Sequence, residues 1–194
     1  FYHLGFKWIP GGFLGVDIFF VISGYVITRL LLDSIYSANG LDVREFYWAR
    51  VRRLFPALLF LVFVASIFTA VFAPDAVHRF VQDLPYVLTG TNNWHLVGLH
   101  QDYFQVVGRP PLLQHTWSLA VESQFYLIWP LILYFVWRRF GKKSVRRAAV
   151  MISLFSGLAL LVFSINADVA TAGRISHVYF GTDTHSIGLF LGSA

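Results

Sequence analysis

Four runs of about twenty predominantly apolar residues constrain what this chain can fold into. A helix of about 20 residues spans the hydrocarbon core of a bilayer, where each backbone polar group must be bonded within its own segment. The runs cover residues 13–32, 54–73, 117–137 and 148–165, one more begins near His185, and the end of another precedes Pro10. The predicted fold is therefore all-α, a polytopic transmembrane helix bundle with about five full or partial spans.

Composition excludes several classes of protein. Hydrophobic residues make up 57% of the chain and charged residues 13%, about half the charge density of soluble domains. Cysteine is absent, which excludes a disulfide framework and thiolate chemistry. The histidines lack the His-x-x-x-His and Glu-x-x-His spacings that hold metals, so no metal centre is expected.

The basic residues are clustered and predict the topology. One cluster comprises Arg44, Arg50, Arg52 and Arg53, and the other comprises Arg138, Arg139, Lys142, Lys143, Arg146 and Arg147. Short basic loops between apolar runs mark the cytoplasmic side, so both clusters are expected there. Residues 43–53, basic and aromatic, predict a short interfacial helix. If both clusters are cytoplasmic, the chain crosses the membrane outward once at 54–73 and returns once at 117–137. The segment 80–99 between these spans is therefore expected to be re-entrant or peripheral.

A polar stripe runs along the predicted span 117–137. His115, Ser118, Glu122 and Tyr126 follow one another at intervals of three or four residues, which places them on one face of a helix. A carboxylate near the bilayer centre costs about 2.5–3.5 kcal/mol on insertion scales, and such residues usually serve function. The alternative is a structural glutamate paired with an arginine across the bundle.

Three other positions carry candidate chemistry, each with a structural alternative. Asp17 is the acidic residue of span 13–32 and suits a helix cap as well as catalysis. Arg50 and Arg53 share a face, beside Arg52, and fit either the cytoplasmic charge signal or a phosphate clamp with bidentate donors. His3 has the side chain that titrates near neutral pH, although a lone histidine is more often structural.

The glycines of the apolar runs are interpreted as packing sites. Small residues let membrane helices approach closely, and this interpretation is preferred to ligand loops for Gly12, Gly15, Gly24 and Gly157.

Four segments resemble the membrane acyltransferase-3 family, the bacterial O-acyltransferases that modify envelope polysaccharides. In chain order they are VDIFFVISGYVITRLLL (16–32), FYWARVRRLFP (46–56), HTWSLAVESQFYLIWP (115–130) and YFGTDTHSIGLFLG (179–192). The resemblance implies that residues 1–194 are the N-terminal part of one transmembrane acyltransferase domain, truncated at both ends. It further implies an acyl-CoA co-substrate, most simply acetyl-CoA, no bound cofactor, an envelope glycan or glycolipid acceptor, and the bacterial cytoplasmic membrane as location.

Carried over residue by residue, the resemblance assigns roles. His3 matches the family's first-helix histidine, the expected base, and Arg50 and Arg53 match the paired arginines on the donor side, with Arg52 beside them. Asp17 and Glu122 are expected at the catalytic centre. The remaining polar centre is expected from His115, Trp117, Ser118, Tyr126 and His185, and Gln124 matches the same motif as Glu122.

The chain departs from the family pattern at four places. The family's arginine about eleven positions before the histidine would precede Phe1, and Ala49 stands where a further arginine is common. His185 replaces the usual arginine, and Ser123 a common glutamate.

The main alternative from another class is a transporter or flippase of an envelope precursor. In such a protein the polar stripes would line a pathway, and inverted symmetry between two halves would support it. The sequence shows no such symmetry.

Overall fold

The computed structural model describes residues 14–100, 111–166 and 172–194. Within these ranges the secondary structure is helical, with no strand. The α-helices are α1 (Leu14–Tyr36), α2 (Val43–Phe72), α3 (Val77–Thr89), α4 (Asn92–Gly98), α5 (Trp117–Phe140), α6 (Lys142–Asn166), α7 (Ala172–Phe180) and α8 (Thr182–Ser193). The all-α prediction is confirmed.

Among the described residues, four helices are long and apolar enough to cross a membrane. They are Gly15–Tyr36, Val43–Phe72, Gln114–Phe140 and Lys142–Val162. They include the four long runs of the sequence, so the prediction of a polytopic bundle is confirmed. The fifth expected span, near His185, corresponds to α8, a helix of twelve residues of which Thr184, Ser186, Gly188, Leu189 and Ser193 are buried.

Helix α1 shows why these segments are apolar on every side. Phe20, Ile27, Leu31 and Ile35 are at most 1% exposed and form one buried stripe at helical spacing. Other faces of the same helix carry exposed Ile18 and Ile22, as expected of a helix that contacts protein on one side and lipid on the other.

Helix α2 differs from the prediction at its start. The separate interfacial helix expected at 43–53 is instead the beginning of one continuous helix, Val43–Phe72. The Asp42 side chain caps it by accepting from the backbone N–H groups of Arg44 and Glu45 at 2.8 and 3.0 Å. Pro56 does not interrupt the helix, because one proline removes one backbone donor and neighbouring turns keep theirs.

The segment 80–99 forms two short helices, as expected for a stretch that does not cross the membrane. At 1.5 Å per residue, α3 is about 20 Å long and α4 about 10 Å, and both fall short of the ~30 Å hydrocarbon core. They lie at the N-terminal end of α5, where the Asn92 side-chain amide donates to the Thr116 hydroxyl at 2.8 Å.

The opposite end of the bundle joins α1 to the turn between α5 and α6. The Tyr36 hydroxyl donates to the carbonyl of Lys142 at 3.0 Å, and the Lys142 ammonium donates to the carbonyl of Ser37 at 3.0 Å. Gly40, at φ +72°, lies against the Trp137 ring, in a left-handed conformation that favours glycine. The second basic cluster therefore lies at the end of the bundle remote from α3, α4 and α7.

Helices α1 and α8 are in backbone contact, which depends on glycine. A Cβ on Gly24 would overlap the carbonyl of Leu189, and one on Gly192 would overlap the carbonyl of Val21. The packing interpretation is thus confirmed for Gly24. Among the described residues, a Cβ on Gly15 would meet no atom within 4 Å, which gives the interpretation no support there, and Gly12 lies outside the described residues.

We expect Gly24→Ala to lower the free energy of unfolding by about 1–3 kcal/mol, the usual cost of overpacking. Gly157→Ala is the matched control, because its new Cβ would have ordinary contacts at 3.9 Å and alanine favours helix. Unfolding of both variants in detergent measures the difference. Equal stability of the two variants would contradict the close approach of α1 and α8.

Candidate functional site

Glu122 is buried where α1 meets α5. Its side chain faces α1 across the helix interface, and the residue is 4% exposed. The Ser23 hydroxyl donates to Glu122 Oε1 at 2.5 Å, and the Tyr126 hydroxyl, one turn along α5, donates to the same oxygen. One oxygen of the buried carboxyl group therefore accepts a hydrogen bond from each of two hydroxyls.

Arg50 of α2 supplies positive charge near this carboxylate. Its guanidinium carbon lies 5.1 Å from the centre of the Phe46 ring and 5.9 Å from that of Tyr126. The guanidinium interacts electrostatically with Glu122, although the two form no direct ion pair within the described residues. The structural alternative, a glutamate in a simple arginine pair, therefore does not describe Glu122: its direct partners are hydroxyls.

The three arginines of the α2 cluster have different surroundings. Arg50 is half-buried, and its Nε is buried without a hydrogen-bond partner among the residues that the structure describes. Arg52 and Arg53 are exposed. Arg50 meets α5 at Tyr126, twelve residues before Arg138, which is about 18 Å along the helix. Arg50 thus lies well inside the bundle, not level with the second basic cluster as a charge signal at the membrane surface would require.

Arg50 opens onto an elongated cavity of about 350 Å³ between α2, α5 and the turn that joins α3 to α4. Arg50 and Tyr126 line one end and Thr116 lines the other, while Gly90 borders the cavity between them, beside Ser123 of α5. The ten residues from Thr116 to Tyr126 correspond to about 15 Å along α5. The walls between are mainly apolar: Leu54, Phe55, Leu58, Val87, Leu119 and Ala120. A charged entrance with an apolar barrel suits a linear ligand with an anionic end.

A second polar cluster, containing Asp17, lies nearer the α3–α4 end of the bundle. His185 Nδ1 is 3.3 Å from Asp17 Oδ1, and the His185 ring packs edge-on against Trp117 at 5.0 Å between ring centres. The structure therefore brings together three sequence-predicted residues from α1, α5 and α8. His185 is the imidazole partner of the Asp17 carboxylate, at the position where the family usually has arginine.

The Asp17 and Glu122 carboxylates belong to different clusters. Six residues separate Asp17 from Ser23, the partner of Glu122, which is about 9 Å along α1. The expected stripe is also shorter than predicted, because His115 lies on a 3-10 turn before α5 and is exposed. Ser118 donates to the carbonyl of His115 at 3.4 Å. His3 lies outside the described residues.

Gln124 connects α5 to two other elements. Its amide donates to the carbonyl of Gly90 and to Asn93 Oδ1, each at 2.9 Å, and its Oε1 accepts from the Thr182 hydroxyl at 2.6 Å. This network joins the α3–α4 turn to the start of α8. The sequence did not identify Ser23, Asn93 or Thr182 as residues of the site. Only Ser23 carried a usable signal, as a polar residue three positions after Phe20 on the buried stripe of α1.

No group of three or more metal-ligating side chains occurs in the described part of the chain. The polar clusters above can therefore bind and polarise a ligand, orient an imidazole and hold an anion.

Comparison with known proteins gives a consistent family. The sequence profile of the family described as acyltransferase domain matches residues 1–193. The chain is 42% identical over 192 residues to O-acetyltransferase OatA of Staphylococcus aureus (strain NCTC 8325 / PS 47), covering 98% of the chain and 31% of that protein.

Two further relatives agree. The chain is 40% identical to putative peptidoglycan O-acetyltransferase YrhL of Bacillus subtilis (strain 168) and 37% identical to peptidoglycan O-acetyltransferase OatA of Listeria monocytogenes serovar 1/2a (strain ATCC BAA-679 / EGD-e). Each match covers 100% of the chain and 30% of the relative. The chain thus spans about a third of the length of these relatives. No solved structure matches it.

We expect Tyr126→Phe to lower the free energy of unfolding by about 1.5–3 kcal/mol, because a buried carboxylate loses one of its donors. Tyr134→Phe is the matched control on the same helix, since the Tyr134 hydroxyl has no hydrogen bond within the described residues. Unfolding in detergent measures both. A Tyr126→Phe variant as stable as the control would show that this hydrogen bond does not contribute.

Proposed function

The chain belongs to the acyltransferase domain family, and from this premise we propose that it forms part of an integral-membrane O-acyltransferase. The enzyme transfers an acyl group, most simply acetyl, from acyl-CoA on the cytoplasmic side to a hydroxyl of a cell-envelope glycan or glycolipid. The observation that carries this proposal is the half-buried Arg50 at the end of an elongated apolar cavity.

The arginines of α2 suit the phosphates of the donor. The Arg50 side chain lines the cavity, and its guanidinium can donate hydrogen bonds to phosphoryl oxygens bound there. Arg52 and Arg53 are exposed nearby on the same helix and can add donors from the open side. Planar guanidinium groups bind phosphates with paired hydrogen bonds. The anion would also balance the positive charge that Arg50 holds inside the bundle.

The cavity suits the pantetheine arm. It runs along α5 from Arg50 and Tyr126 to Thr116, toward the end of the bundle that is remote from the second basic cluster. An arm inside it would carry the thioester away from the phosphates toward that end. If the basic residues mark the cytoplasmic side, the acyl group would approach the outer surface of the bacterial cytoplasmic membrane.

The chemistry needs one base and a polarised thioester. The acceptor oxygen attacks the thioester carbonyl, the base takes the hydroxyl proton, and the carbon–sulfur bond breaks to release coenzyme A, whose thiolate receives a proton. Positioned bases contribute about 10²–10⁴-fold. We assign this role to His3, with Asp17 as the carboxylate that orients the polar centre. Glu122 holds the Tyr126 hydroxyl at the entrance of the cavity.

The names of the relatives support the acceptor class. Two of the three are named peptidoglycan O-acetyltransferases, one of them putatively, so an envelope glycan is the acceptor that we propose for this chain as well. No resident cofactor is needed, because acyl-CoA supplies the activated acyl group as a substrate.

We expect Arg50→Ala to weaken acetyl-CoA binding about tenfold or more, because a charge-assisted hydrogen bond contributes about 1.5–3 kcal/mol. Arg50→Lys should restore only part of the acetyl-CoA affinity, since an ammonium group lacks the planar, paired donors of a guanidinium. Arg44→Ala, an exposed arginine of the same helix, is the control. Calorimetry on the full-length protein in detergent measures the dissociation constants. Unchanged affinity in Arg50→Ala would refute the phosphate site.

We expect His3→Gln to abolish acetyl transfer while acetyl-CoA binding and unfolding temperature stay at wild-type values, because glutamine can hydrogen-bond but cannot act as the base. Transfer of radiolabelled acetyl to a glycan by the full-length protein measures activity. Substantial turnover by this variant would exclude His3 as the base. Absence of transfer by the wild-type protein under conditions that saturate donor binding would contradict the proposed function itself.

A further inference from the structure

We propose that the α3–α4 hairpin carries a sugar-binding cleft, which receives one pyranose ring of the glycan acceptor. This inference rests on the proposed function for the identity of the acceptor, and its evidence is a second cavity. The cavity has a volume of about 340 Å³ and is lined by Tyr86, Thr91, Trp94, His95, Gly98 and Leu99. Pockets that bind small ligands have volumes of about 300–1,000 Å³ and are mainly aromatic and apolar, with a few placed polar groups.

The Tyr86 ring is held in place by a buried pair of polar residues. Tyr86 is 41% exposed, and its ring stacks on that of His95 at 3.9 Å between centres and 8° between planes. His95 Nε2 is hydrogen-bonded to Asp83 Oδ1 at 3.0 Å, and Asp83 is 2% exposed. The buried carboxylate fixes the imidazole, and the imidazole fixes the phenol ring that faces the cleft.

The Trp94 ring is fixed in a different way. Trp94 is 40% exposed, its Nε1–H donates to Gln124 Oε1 at 3.3 Å, and its ring lies edge-on to His177 at 5.8 Å and 82°. Gln124 is itself held by Gly90 and Thr182. Both aromatic rings of the cleft are thus immobilised by partners behind them while part of each surface stays open.

The chemistry of the lining selects a neutral sugar. A pyranose has apolar faces of C–H groups and an edge of hydroxyl groups. The aromatic rings can pack against such a face, and the Thr91 hydroxyl and the His95 imidazole can bond the edge. Among the described residues that line the cleft there is no arginine or lysine, so these residues offer a phosphate or carboxylate ligand no counterion. Exposed tryptophan and tyrosine side chains also anchor proteins at membrane–water interfaces, but such anchors need neither a cavity nor rings held in place by partners.

The position of the cleft fits the geometry of transfer. The turn between α3 and α4 separates it from the donor cavity, because Thr89 and Gly90 line the donor cavity and Thr91 lines the cleft. The Thr89 and Thr91 hydroxyls are hydrogen-bonded at 2.9 Å. A sugar in the cleft and a donor in the cavity would therefore lie on either side of one short turn, which contacts α5 at Ser123 and Gln124.

Binding of the tetrasaccharide of N-acetylglucosamine to the full-length protein in nanodiscs tests the inference. We expect Trp94→Ala and Tyr86→Ala each to weaken the dissociation constant about tenfold or more, as truncation of aromatic anchors does at binding sites. Trp94→Phe should lose less, because it keeps an aromatic face. The matched control is Trp48→Ala, a tryptophan on α2 that is 54% exposed and lies outside the cleft, which should bind as wild type.

Acetyl-CoA affinity and unfolding temperature, measured on the same samples, show whether the variants are folded. Three results would each overturn the cleft. The first is wild-type sugar affinity in folded Trp94→Ala and Tyr86→Ala, the second is an equal loss of affinity in Trp48→Ala, and the third is no sugar binding by the wild type. Reduced membrane insertion with unchanged sugar affinity would identify the rings as membrane anchors and also overturn it. Acetyl transfer with an unchanged KM for the glycan in both cleft variants would reject the cleft alone. Sugar binding without any transfer by the wild type would reject the proposed function and leave the cleft standing.

Discussion

A carboxylate buried between helices needs donors and nearby positive charge, and Glu122 obtains them from three elements. Ser23 reaches it from α1, Tyr126 from its own helix α5, and the charge of Arg50 from α2. Because these side chains are short or half-buried, the contacts hold only when the three helices keep one register. The polar cluster therefore positions α2 against α5, and the donor cavity lies along that contact.

The same register explains why α5 separates several functions along its length. Its first turn meets the cluster of Asp17 and His185 through Trp117. Its middle carries Glu122 and Tyr126 toward α1 and α2, while Gln124 faces the α3–α4 turn. Its last turns reach the basic end of the bundle. One helix thus connects the cluster of Asp17 and His185, the donor cavity and the sugar cleft, as transfer between two substrates requires.

The glycines of α8 and α1 have a different purpose from these polar contacts. Lipid gives little hydrophobic gain for pressing two helices together, so association depends on close packing and interhelical hydrogen bonds. Gly24 and Gly192 allow the backbones to touch, and the Ser193 hydroxyl lies 3.3 Å from the carbonyl of Gly24. This contact keeps His185 beside Asp17, because both lie on the same pair of helices.

Sequence alone determined the features that depend on local periodicity or on length. The long apolar runs gave the spanning helices, the short polar-broken stretch at 80–99 gave helices that cannot cross, and helical spacing placed Tyr126 beside Glu122. Asp17 was a candidate as the acidic residue of its span, His185 came from a family resemblance, and the fold then paired them.

Only the tertiary structure decided which faces meet. Ser23 and Glu122 are 99 positions apart, and no local pattern joins them. In a membrane protein, lipid-facing and protein-facing positions are both apolar, so hydropathy does not reveal how a helix is rotated. For the same reason the depth of Arg50 and the cleft between Tyr86 and Trp94 were not foreseen: each depends on how helices pack across the bundle, which residue spacing within one helix does not encode.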